Sequence, residues 1–228
     1  MVAPPLRARV RAGMIDEIKA VARRHLATDG ANLSLRAVAR DMGMVSSAIY
    51  RYFPSRDDLL TALILEAYDA LGDAVEAADA AFDRGDLRGR WHAACRAARA
   101  WALAHPAEYA LLYGSPVPGY AAPEDTVAPA ARPPLTLVGI LRDGLAAGRL
   151  SPPEDALPEP LRADMAELGV LLSVDLPPAL LARGMAGWTQ LFGLISFELF
   201  GRLNGVLPHR DEYFDHQTAL MADLVGLP

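Results

Sequence analysis

The sequence predicts an all-α fold, and three observations carry that prediction. Apolar residues recur at helical spacing along most of the 228 residues, beginning with Val10, Met14, Ile18, Val21 and Leu26. No segment shows the apolar–polar alternation of a strand. Helix-starting residues stand just ahead of the apolar runs, as Ser34 does before Leu35 and Ser55 before Asp57 and Asp58.

Taken in order, the first amphipathic helix ends near Asp29–Gly30. Ser34 caps a second, Leu35 to Met42, which stops at Gly43. A third runs from about Ser46 to Phe53 and ends at Pro54. Ser55 caps a fourth, whose first-turn carboxylates Asp57 and Asp58 favour the positive end of the helix dipole. That helix continues through Leu59, Leu60, Leu63, Ile64 and Tyr68 towards residue 79. Further helices are expected at about 86–104, 106–113, 134–147, 160–172, 178–203 and 211–226. The stretch GSPVPGYAAPEDTVAPAARPP, Gly114 to Pro134, reads as a functional or semi-ordered loop, and Ser151 to Pro160 as a second Pro-rich break.

The charge distribution divides the chain. Net charge is −6, which alone argues against nucleic acid. Residues 1–56, however, hold ten basic and four acidic groups, a balance of +6, while the remainder balances to −12. A cationic head on an anionic body is the pattern of a protein that meets a polyanion with one end. The single cysteine, Cys95, excludes a disulfide framework and suits a reducing cytoplasm. MVAPPLRARVRAG has no apolar core of a signal peptide, and the most apolar run, Gly184 to Phe200, is too short and polar to span a membrane. Nothing in the sequence calls for a cofactor or a metal.

Leu35 to Tyr50 meets the steric demands of a helix-turn-helix. Two helices that cross steeply need a small residue where they touch, and Ala39 stands there. The turn needs a residue tolerant of the left-handed conformation, and Gly43 follows four positions later. The second helix needs an inward apolar residue, supplied by Ile49. On its outer face Ser46, Ser47 and Ala48 allow close approach to a major groove, and Val45 and Ala48 suit thymine methyls. Arg36 suits guanine O6 and N7, while Ser34, Tyr50, Tyr52 and Arg56 are placed for phosphates. Leu35 and Arg51 complete the candidate DNA-contacting set.

Residues 10–64, and LSLRAVARDMGMVSSAIYRYFPSRDDLLTAL above all, resemble the N-terminal domain of TetR-type transcriptional regulators. The resemblance places the DNA-binding motif at Ser34 to Phe53, with a head of residues 1–56 and a helical ligand-binding and dimerisation domain of 57–228. Many members carry a capping Ser two positions after the glycine. Here that position is Val45, which cannot cap, so the recognition helix is expected to start at Ser46. HPAEYALLYGSPVPGYAAPEDTVAPAAR and GWTQLFG resemble a subgroup with a Trp-His-Gly-containing helix, with Phe192 where the histidine would stand.

In the larger domain, Met185 to Leu203 is apolar nearly all round and must be covered on every side. With the last helix it predicts a homodimer interface of Trp188, Leu191, Ile195, Leu199, Phe214, Leu220 and Leu224. Gly184, Gly187 and Gly193 would permit close helix approach. Candidates for a small-molecule pocket are Trp101, Tyr109, Tyr113, Tyr120, Trp188 and Phe192, with Arg142 as a partner for an anionic ligand. The function expected is a regulator, most simply a repressor that a small apolar molecule releases from a palindromic operator. Two alternatives stay open: a helical enzyme acting on a hydrophobic molecule, for which His92 and Cys95 one turn apart are the sole thiol–base pair, and an architectural DNA binder without ligand.

Overall fold

The computed structural model describes residues 5–29, 33–152 and 157–228. Among these there is no strand, and ten α-helices follow one another: α1 Leu6–Asp29, α2 Leu35–Asp41, α3 Ser46–Ile49, α4 Arg56–Ala80, α5 Leu87–Ala104, α6 Pro106–Tyr113, α7 Val127–Ala146, α8 Glu159–Leu171, α9 Pro178–Leu199 and α10 Arg210–Leu224. The expected helix end at Gly30 and the centre of the 151–160 break lie outside the described residues.

The chain forms two compact units, one of Met1–Asp69 with His105–Ala130, the other of Ala70–Ala104 with Ala131–Pro228. The boundary expected after residue 56 therefore falls within a helix, because α4 runs through it. The first unit also takes in α6 and the segment after it. Its core draws Ile18, Val21, Ala22 and Leu26 from one face of α1, Leu35, Val38 and Ala39 from α2, Ile49 and Phe53, and Leu59, Leu60 and Leu63 from α4. Val117 belongs to the same core, and Ala107, Leu111 and Tyr120 pack against it. The Lys19 and Arg23 side chains of α1 both pair with Glu66 of α4, and His25 Nε2 lies 2.7 Å from Asp41 Oδ2.

In the second unit α5, α9 and α10 pack together around Trp91, Cys95, Leu191, Ile195, Phe214 and Met221, all buried. Gly187 lies on Trp91, where an added Cβ would come 3.2 Å from the ring, and Gly184 on Leu141 at 3.3 Å. Across α5 and α9, Arg99 holds Glu198 through two hydrogen bonds of 2.7 Å. Arg90, with almost no exposed surface, donates to Asp79 at 2.7 Å and pairs with Asp143 at 2.9 Å.

α7 differs from expectation. A 3-10 turn at Glu124–Thr126 leads into it, so it begins seven residues before the predicted start and carries Pro133 and Pro134 inside it. Two adjacent prolines lack the N–H groups of an inner turn and read as a helix start. In the structure Arg132 is clamped by Glu76 and Asp73, and Thr136 Oγ1 donates to the Arg132 carbonyl at 3.1 Å. Those contacts hold the proline turn in place, and only the part of Gly114–Pro134 up to Pro123 is irregular.

Candidate nucleic-acid interface and ligand cleft

The turn between α2 and α3 is fixed by backbone bonding. The Met44 N–H donates to the Ala39 carbonyl at 2.8 Å and the Gly43 N–H to that of Arg40 at 3.0 Å. This pair is the left-handed helix ending that glycine serves best, and Gly43 has φ +66°. Ala39 is fully buried at the crossing, as its size requires. Ser34 Oγ caps α2 by accepting from the Ala37 N–H at 3.4 Å, and Ser55 Oγ caps α4 from the Asp58 N–H at 3.1 Å. Val45 precedes α3 in an extended conformation with no side-chain cap. The helix itself is four residues long, and tighter bonds from the Arg51 and Tyr52 N–H groups, with one from the Phe53 N–H to the Ile49 carbonyl, continue its winding to Phe53.

The candidate DNA-contacting side chains separate by exposure. Ser34, Arg36, Val45, Ser46, Ser47, Tyr50 and Arg51 are exposed, and Ala48 is half-buried above Ile49. Tyr52 is half-buried beneath the Arg11 guanidinium, 5.3 Å from its ring centre. Arg56 donates to the Leu33 carbonyl at 3.1 Å, so it braces the loop before α2. Leu35 is buried in the head core and its side chain cannot reach a duplex.

The seven pocket candidates fall in both units. In the first, Tyr109 is fully buried, and its ring centre lies 5.1 Å from that of Tyr113, which meets Tyr68 edge-on at 6.2 Å. Burial pushes the phenols of Tyr68 and Tyr113 up from the ordinary tyrosine range. Beside them opens a cleft of about 470 Å³, bounded by Ile64 and Tyr68 of α4, Leu111 and Leu112 of α6, Val117 and Tyr120, and Val127 and Ala130 of α7. No charged side chain lines it. The Tyr120 hydroxyl lies 2.9 Å from Thr61 Oγ1, while that of Tyr68 has no hydrogen-bond partner among the described residues. Ile64, Tyr68 and the two leucines of α6 were missed in the sequence. The available signal was Tyr68 itself, a ring with a polar tip on an aliphatic helix stripe.

In the second unit Trp101 and Phe192 are buried. Trp188 stands edge-on to Phe192 at 5.8 Å and lines a small apolar cavity of about 40 Å³ with Leu137, Leu141, Leu168 and Leu181. Its indole N–H is buried without a partner among the described residues. Arg142 lies in a separate polar cleft with Arg84, Arg90, Arg132, Glu76 and Asp79. Cys95 is wholly buried, and burial pushes its thiol far up, so it offers no thiolate to His92.

Of the expected interface residues, Leu191, Ile195 and Phe214 are buried inside the chain's own core and Trp188 and Leu199 are half-buried. Only Leu220 and Leu224 are exposed. An all-round apolar helix does not declare which stripe faces inward. The outer stripe of α9 carries Ala186, Gly193 and Phe197, followed by Phe200 just past its end. Gly193 has nothing within 4 Å of an added Cβ.

Comparison with known proteins agrees with this architecture. Residues 18–63 match the family model of bacterial regulatory proteins of the tetR family, and residues 91–221 that of the tetracyclin repressor-like C-terminal domain. HTH-type transcriptional regulator Rv1816 of Mycobacterium tuberculosis and Mb1846 of Mycobacterium bovis are each 39% identical to the chain over 223 residues, covering 92% of it and 91% of the relative. Among solved structures, the regulatory protein SCO4313 superposes with TM-score 0.79 at 34% identity, covering 97% of this chain and 100% of that one. PfmR of Thermus thermophilus, a TetR family regulator, shares the fold at TM-score 0.58 and 21% identity, covering 92% of this chain and 98% of that one. With both halves of the chain matched and the helix-turn-helix formed, the protein belongs to the TetR family of DNA-binding transcriptional regulators.

Proposed function

We propose that this regulator is a cytoplasmic homodimeric repressor that a small, neutral, largely apolar molecule releases from a palindromic operator. Its recognition surface is the exposed edge of Arg36, Val45, Ser46, Ser47, Tyr50 and Arg51. Two such edges set one helical turn of DNA apart, about 34–36 Å, read successive major grooves. The exposed stripes of α9 and α10, Gly193, Phe197, Leu220 and Leu224, supply the dimer contact, and Gly193 lets a partner helix approach closely. The Trp188–Phe192 helix keeps its likeness to the Trp-His-Gly subgroup as part of this reading.

The observation that carries effector release is the shared wall of the cleft. Val117 belongs to the head core and Tyr120 packs on it, while both line the cleft; Ile64 follows directly after the core residue Leu63 on α4. A molecule seated there presses on the packing that orients α3. Its binding shifts the head only as far as it favours one arrangement over the other. With no charge in the lining, an ionised ligand would lose its hydration uncompensated, whereas a neutral one can bond the Tyr68 hydroxyl.

The test is selection of duplexes from a random pool by the intact protein, followed by gel shift with a panel of neutral six- to ten-carbon alcohols and phenols. Enrichment of an inverted repeat, with release by members of the panel and none by matched carboxylates, supports the reading. Equal binding to every duplex would make the protein an architectural binder instead.

A further inference from the structure

We infer that Arg7, on the part of α1 that projects beyond the head, binds a backbone phosphate of the duplex outside the segment met by α3. This rests on the DNA-reading role proposed above and extends its footprint. α1 is 24 residues long, yet only its part from Met14 onward packs on the head core. Every residue from Pro5 to Gly13 is exposed, including Leu6 and Val10. These two helical turns, about 12 Å long, therefore bury no side chain in the head and meet it through Arg11.

Their charges point one way. Arg7, Arg9 and Arg11 precede the first acidic residue of the chain, Asp16. Arg11 donates to the Arg51 carbonyl at 3.0 Å and lies over the Tyr52 ring, so its charge is anchored at the end of the recognition segment without being neutralised. Arg7 is four residues earlier and shares that helix face, about 6 Å further out. Arg9 lies on the opposite side of the helix. No carboxylate pairs with Arg7, Arg9 or Arg51 among the described residues, although arginines elsewhere in the chain, such as Arg84, Arg96 and Arg99, are paired. Arg7 and Arg11 thus form a cationic line along one face of α1 that starts at the Arg51 backbone, where the recognition segment ends. Guanidiniums so placed fit phosphate oxygens, which fix position without reading sequence.

The experiment compares Arg7→Gln with Arg9→Gln, two variants of equal charge change on opposite faces of one exposed helix. Affinity is measured against salt on duplexes enriched by the wild-type protein, with flanks intact and trimmed by half a turn. Losing one phosphate contact per head lowers the slope of log affinity against log salt by about 0.9 per head. At about 0.1 M salt this amounts to a loss of roughly five- to tenfold per head. Arg7→Gln should show both effects on intact flanks and neither on trimmed ones, while Arg9→Gln stays near wild type. Identical behaviour of the two variants, or no change in Arg7→Gln, overturns the assignment. A wild-type protein that enriches no duplex overturns the DNA-reading role itself, and this contact with it.

Discussion

The Tyr120 hydroxyl lies 2.9 Å from Thr61 Oγ1, joining the irregular segment after α6 to the helix that carries the head core residues Leu59, Leu60 and Leu63. Tyr120→Phe keeps the ring against the core and removes this bond, at a cost of about 1 kcal/mol in urea unfolding. The same change should alter the effector response, because Tyr120 lines the cleft and this bond fixes its ring there. Operator affinity without effector should remain within about threefold of wild type, a difference of under 1 kcal/mol. A gel shift titrated with the active panel member checks both.

Arg99 and Glu198 are half-buried together, with 14% and 9% of their side chains exposed. Removing one member leaves the other charge short of a partner. Glu198→Gln is expected to destabilise by about 2 kcal/mol, softened because Arg99 also meets Asp211 at 2.6 Å. The apolar pair Arg99→Met with Glu198→Leu should cost less than either single change. Chemical denaturation of the three variants measures the difference.

His92 carries a pH dependence whose sign is fixed. Its ring is held below the usual histidine range, first by burial and then by the charges of Arg96 and Arg88, with Asp215 and Asp86 opposing. The unfolded chain therefore binds a proton at a higher pH than the folded one. Stability from this site is full above about pH 6.5 and falls as pH drops through that value towards the folded pKa. His92→Gln can keep a bond to Thr218, which lies 2.9 Å from His92 Nδ1, and should flatten the thermal-stability profile between pH 7 and 5.

Phe197 and Leu220 are exposed on neighbouring helices, 58% and 45% respectively. A glutamate at either position adds no strain to a single chain and places charge in the proposed dimer contact. Light scattering at micromolar concentration should report a monomer for Phe197→Glu with unchanged helicity. Leu191→Glu, aimed at a residue that is 2% exposed, should instead unfold the chain.

The head was legible in the sequence because each requirement there is local. Ala39, Gly43 and Ile49 each meet one steric demand at a fixed offset, and Ser34 and Ser55 cap the helices that follow them. Legibility failed where the answer depends on which stripe of a helix faces inward. Leu191, Ile195 and Phe214 are as apolar as Phe197 and Leu220, and only packing against α5 separates them. It failed also at Pro133 and Pro134, where ion pairs of Arg132 with residues nearly sixty positions away hold a proline turn that local propensity rejects. The cleft residue Tyr68 escaped because its neighbours come from α6 and α7, distant in sequence.

The central claim is that the exposed edge beginning at Arg36 and Ser46 reads DNA. Fluorescence-anisotropy titration of an enriched duplex with wild type, Arg36→Ala and Tyr50→Ala tests it most directly. Both side chains lie outside the core, so melting temperature and oligomeric mass should not change. Arg36→Ala should weaken binding by about 1–3 kcal/mol, and Tyr50→Ala by at least tenfold. Unchanged affinity in both variants would contradict the account.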